Sequence, residues 1–281
     1  MLRETYNEAL TEALRQRIAS RSFRIPVIPE VAWKVIRIAN DPESNATALV
    51  NVVRSEPLLA ACVIRVANSA AYYRGGMLDS LPLAIARLGM TLVRDIALAT
   101  AVNARMFDAA IFERPIREIS HHALATALWA KEVALLARRN RETAFVCGLL
   151  HSIGKPVLLQ AALDSETFDW HDVDHAALLA EIDSLHTEAG AIVLARWDLS
   201  PAVIDAVAHQ ALPRHASTGK PEARIIRAAS ALAAYTLDGT PERSEIELLA
   251  EFPELAITSE QVDKLFAAHG KVLFTMEAIR D

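Results

Sequence analysis

Three stretches of this chain hold polar side chains where apolar helices would place them together. In "SHHALATALWAKEVA", His122 opens a long amphipathic helix. In "GLLHSIGK", His151 follows a buried apolar helix and precedes Ser152, and Lys155 follows a Gly154 turn. In "RIIRAASALAAY", Ser230 lies in the middle of an alanine-rich helix. Imidazoles converging from several helices are the raw material of a hydrolytic metal site, which also needs a carboxylate to hold the ion and keep a bound water basic. Buried histidines also serve as core residues hydrogen-bonded to backbone. Lys155 suits a phosphate, or the end of the preceding helix by its charge. His121, one residue from His122, points about 100° away on a helix. The cluster "WHDVDH" (His171, Asp172, Asp174, His175) has ligand-like residue types. At a loop-to-helix junction Asp172 reads more simply as an N-cap.

The elements that must position these groups are helices almost throughout, since apolar residues recur at helical spacing and strand-like alternation is nearly missing. In "PEVAWKVIRIAN", Val31, Val35, Ile38 and Ala39 share one face. Helices are expected at 46–55, 57–69, 81–88 and 90–107, with Gly89 as a break. Longer ones follow at about 116–139, 142–150, 153–162, 172–184, 187–197, 201–210, 221–238 and 259–280. Ser200 and Pro201 give the 201–210 helix a clear start. The last helix presents Val262, Leu265, Phe266, Val272, Leu273, Met276 and Ile279 as a stripe for the core. Trp33, Trp129, Trp170 and Trp197 read as core or lobe-contact residues.

In order and spacing these stretches resemble the HD superfamily of metal-dependent phosphohydrolases, and more closely its HDOD branch, the HD-related output domain of bacterial signalling proteins. "PVIPEVAWKVIRIANDPESNATALVNVVRSEPLLAACVIRVANSAAYYRGG", "SLPLAIARLGMTLVRDIALATAV" and "LHTEAGAIVLARWDLSPAVIDAVAHQ" share that branch's pattern from about residue 22 to about 235. The resemblance implies an all-α, multi-helix HD-like bundle with an N-terminal helical subdomain, divided into 1–110 and 111–281. It places His122 and His151 at the family's histidine ligands. Ser152 and Ser230 stand where its two aspartates belong, so these are vestigial positions. A serine hydroxyl is neutral and a weak ligand, and two negative charges that would offset a divalent cation are missing. His186 and His209 resemble the extra histidines of cyclic-dinucleotide phosphodiesterase relatives. No metal or cofactor is expected; if an ion binds, the four histidines are its candidate ligands.

Composition bounds the function. Net charge is −6, which opposes nucleic-acid binding by bulk electrostatics, and the 52% hydrophobic content is globular. Lys plus Arg outnumber Asp plus Glu by 13 to 10 over residues 1–110 and fall behind, 16 to 25, over 111–281. Cys62 and Cys147 lie in apolar stretches and read as reduced, buried thiols of a cytoplasmic protein. No run approaches 18 consecutive apolar residues, and the charged N-terminus lacks a signal-peptide core. The resemblance implies a non-enzymatic signalling output or scaffold module that binds a protein partner or a nucleotide second messenger such as a cyclic dinucleotide. The loop carrying Tyr72, Tyr73 and Arg74 is its expected rim, with Lys155 a further candidate. Two alternatives stay open: a metal-dependent phosphohydrolase with an atypical His-rich site, and a DNA-binding regulator built on the glycine-separated helices 81–88 and 90–107. The second of those helices is too apolar for a recognition face.

Overall fold

A computed structural model describes residues 2–27, 30, 34, 38, 46–102, 107, 110–165, 173–211 and 220–280. Among them there are helices and connections and no strand. The expected helix at 29–40 falls largely outside the described residues, as do Trp33, Trp170, His171 and Asp172.

α1 (Leu2–Ala19), a helix the apolar pattern did not single out, precedes the helices of the first lobe. Its buried Leu10, Leu14 and Ile18 recur at helical spacing, and the helix lies against residues of the other lobe. Next come α2 (Ala46–Arg54), α3 (Pro57–Asn68), α4 (Leu81–Leu88) and α5 (Met90–Ala101). Gly89 joins α4 to α5 with φ +79°, a value that strains any residue with a Cβ. The loop after α3 is closed by Asn68, whose amide donates to Leu78 O at 2.7 Å and accepts from Leu78 N at 2.8 Å. Arg87 pins the same loop from α4, donating to Ala67 O at 3.1 Å and Gly75 O at 3.3 Å.

The second lobe is built around α6 (Glu113–Leu136), packed between α7 (Arg141–Leu150) and α11 (Pro221–Asp238). Trp129 of α6 is fully buried, and its indole N–H donates to Thr236 Oγ1 of α11 at 2.9 Å. A short turn joins α7 to α8 (Gly154–Leu163), which lies along α9 (His175–Arg196). The helices expected at 172–184 and 187–197 are therefore one, since no glycine or proline interrupts 175–196 below its last turns. Its N-cap is Asp174, accepting from Ala176 N at 3.0 Å and Ala177 N at 3.2 Å, and not Asp172. α10 (Pro201–His209) then crosses to α11.

The expected helix 259–280 is two, α14 (Ser259–Ala267) and α15 (His269–Arg280), after the short α12 (Arg243–Glu247) and α13 (Glu251–Glu254). Val262, Leu265, Val272, Met276 and Ile279 of its stripe are buried, and Phe266 and Leu273 pack against the core. α15 touches α6 on one side and α3 and α5 on the other, tying the lobes together. Arg65 Nε donates to Ala278 O at 2.8 Å, occupying one of the carbonyls that a helix end leaves without a partner. The stretch Arg141–Leu163 is long and apolar enough to cross a membrane by composition, and 83% of its apolar 18-residue window is buried inside the bundle. Cys62 and Cys147 are free and buried.

Candidate functional site

Two glycines set the site's geometry. Gly148, on the last turns of α7, faces α6 so closely that a Cβ there would lie 2.7 Å from Ala127 Cα. Gly154, at the start of α8, faces α9, and its Cβ would lie 2.0 Å from His186 O. Backbones this close leave no room for a side chain. The turn between the two glycines, His151–Ser152–Ile153, is thereby held between α6 and α9, with all three residues buried.

That placement brings His151 to His122, with ring centroids 5.5 Å apart. His122 Nε2 stands 3.5 Å from Ser230 Oγ, so α6, the α7–α8 turn and α11 each contribute one group. Thr126 donates its hydroxyl proton to His122 O at 2.7 Å. Three histidines share one arrangement. His151 Nδ1 meets Gly148 O at 2.7 Å, His186 Nδ1 meets Asp183 O at 2.8 Å, and His209 Nδ1 meets Asp205 O at 2.7 Å. A carbonyl only accepts, so in each of these contacts Nδ1 carries the proton.

Burial pushes the His151 imidazole down to about 3, helped by the positive charge that His122 would carry. Burial also lowers His122 and His186, and the Lys155 ammonium lowers both further. All three are neutral at pH 7. Lys155 pairs with Asp183 at 2.8 Å, drawing that carboxylate to itself. It stands by the histidines and is not among the residues around Tyr72. Tyr72 is half-buried, while Tyr73 and Arg74 are exposed, with the Tyr73 hydroxyl accepting from Gly76 N at 3.1 Å. His121 is half-buried, and burial lowers it too.

The HD resemblance implies a metal here, and the donor set does not fit one. Among the described residues, no three His, Cys, Asp or Glu side chains stand close enough to hold an ion. The four histidines therefore do not form a shared cage among those residues. His209 sits beside Asp205, which Lys220 engages, on the outer part of α10. Two neutral imidazoles and two hydroxyls offer no negative charge to a dication, so no hydrolytic step follows from this site.

A residue that sequence reasoning missed braces the turn. Gln210, buried at the end of α10, donates to His151 O at 2.6 Å, and its own carbonyl accepts from Arg227 Nη1 at 3.3 Å. Arg227 in turn pairs with buried Glu251 at 2.9 Å. The sequence signal was faint: one amide just past an apolar helix, distant in the chain from its partner.

The family model of the HDOD domain matches residues 25–213. The chain belongs to the HDOD family. Its fold is shared with two solved structures. One, described as a candidate metal-dependent phosphohydrolase from Shewanella amazonensis SB2B, is 21% identical at TM-score 0.67, covering 98% of each chain. The other, described as a candidate signal transduction protein from Marinobacter aquaeolei VT8, is 20% identical at TM-score 0.65, covering 98% of this chain and 66% of that one. An uncharacterised protein of Treponema pallidum (strain Nichols) is 24% identical over 220 residues, 75% of this chain; the HDOD chain spans only 42% of that relative's length. This chain is thus an HD-like helical module of the HDOD type, with serines at both positions where the HD superfamily resemblance places aspartates.

Proposed function

We propose that the chain is a non-catalytic signalling module, an output or scaffold domain that binds a protein partner or a nucleotide second messenger. One observation carries this reading. Ser152 and Ser230 stand where the HD resemblance calls for carboxylates, and they lie in a frame of close-packed glycines, helices and histidines. The exposed loop after α3 supports a partner-binding role, since Tyr73 is 53% and Met77 78% exposed on a segment that Arg87 and Asn68 hold in place. The Marinobacter relative's description as a candidate signal transduction protein points the same way.

The test pairs turnover with capture. The purified chain, assayed on a generic phosphate monoester and diester with Mn²⁺ or Ni²⁺ supplied, is expected to hydrolyse neither. Immobilised protein in native cell extract, with and without added cyclic dinucleotide, is expected to retain a specific partner, and Tyr73→Ala to release it. Turnover that vanishes in His151→Ala would overturn the proposal.

A further inference from the structure

A cavity of about 210 Å³ lies where the two lobes meet α15, away from the histidine site. It is the point at which three elements bring cations together: Lys131 from α6, Arg141 at the start of α7 and Lys271 from α15. Glu132 is the carboxylate in its lining. It is shared between two of the cations, standing 3.2 Å from Lys271 Nζ and 3.9 Å from an Arg141 amine. Lys131 engages the buried Asp95. Each ammonium has three donors, so these pairings leave donor capacity unspent. The Arg141 Nε–H is buried and meets no acceptor among the described residues. A buried donor without an acceptor costs about 1–3 kcal/mol, a reason to expect an acceptor to arrive from outside.

The opposite wall is apolar, formed by Leu88, Leu128 and Val272, with the Tyr72 ring at its edge. The volume equals the liquid share of about seven waters. That holds a phosphate group with a body of two or three carbons.

We propose that this interlobe cavity binds a phosphate group, free or as a small organic monoester, through Arg141, Lys271 and Lys131. The lining sets three cations against Glu132, and Asp95 beneath Lys131 offsets one of them, leaving a surplus of one positive charge for a phosphate anion; Arg141 supplies the directional donors while the lysines act as point charges. The site stands independently of the signalling proposal, because it uses neither the serines nor the exposed Tyr73 and Met77, and shares only the Tyr72 ring with the loop after α3. The ligand joins α6, α7 and α15 and so stabilises the docking of the lobes.

Calorimetric titration of the full chain with inorganic phosphate and with glycerol 3-phosphate, at constant ionic strength, is the test. Saturable binding is expected for at least one. Tighter binding of glycerol 3-phosphate assigns the site to an ester, and equal binding assigns it to free phosphate. Lys271→Gln and Arg141→Gln are each expected to weaken binding about tenfold. Lys264→Gln, which removes an exposed cation paired with Glu260 elsewhere, is expected to leave it unchanged. Absence of saturable binding by both ligands overturns the proposal. So does an equal loss in Lys264→Gln, which would mark a bulk charge effect, or wild-type affinity in both cavity variants, each shown by circular dichroism to be folded.

Discussion

His151 converts burial into a pH response. Its imidazole titrates near 3 in the fold and near 6.5 once unfolded, so between those values only the unfolded chain takes up the proton. The sign follows: this contribution is harmless above the unfolded value, and stability is lost as pH falls from about 6.5 toward 3. Each such histidine steepens the loss by up to about 1.4 kcal/mol per pH unit, and His122 and His186 shift the same way. Urea unfolding at pH 7.5, 6.0 and 5.0 is expected to show falling midpoints, and His151→Leu a shallower slope. An unchanged slope in that variant would show that His151 is not held neutral. The grouping of His122, His151 and Ser230 was legible through the resemblance to the HD superfamily, which assigns all three to one site. The role of Gln210 was not, because nothing local links it to a carbonyl 59 residues away.

At the scale of elements, the contact between α8 and α9 turns on one missing side chain. Gly154→Ala would place a Cβ 2.0 Å from His186 O, where backbone must move, so destabilisation of about 3 kcal/mol or more is expected in denaturant titration. Gly148→Ala, against Ala127 at 2.7 Å, is expected to cost about 1–3 kcal/mol. The meeting of α5, α6 and α7 depends instead on charge. Asp95 is 1% exposed and pairs with Arg94 at 2.8 Å and with Lys131. Asp95→Ala strands the buried Lys131 and leaves Arg94 its pairing with Glu142, and a loss of about 3–5 kcal/mol is expected, against much less for a double replacement of Asp95 and Lys131 by apolar residues. Helix boundaries were mostly readable, because Pro and Ser mark starts such as Pro201. The unbroken α9 and the divided α14–α15 were misjudged, since periodicity alone locates a helix better than its ends. That Gly154 must be glycine was unreadable, because its reason lies on a helix met some 30 residues later.

At the scale of the molecule, the lobes are joined through α15, and that helix also walls the phosphate cavity. Met276, 2% exposed, packs in this joint, and Met276→Ala is expected to cost about 2–5 kcal/mol. Hydrogen exchange should then quicken in α3 and α5 as well as in α15. Protection confined to its wild-type level in α3 would mean that the lobes hold without the joint. The sequence announced α15 as an amphipathic core helix, but its two-sided contact depends on how the lobes are disposed, which no local pattern encodes.

The bond from Arg65 to Ala278 and the contact of Cys62 with Ile279 O span 213 and 217 residues. A chain emerging from a ribosome makes α3 early and must wait for α15 before covering its face. During that interval the apolar side of α3 is open, and a chaperone that grips exposed aliphatic surface has a defined window in which to act. A helix made some two hundred residues after α3 is thus the one that covers it.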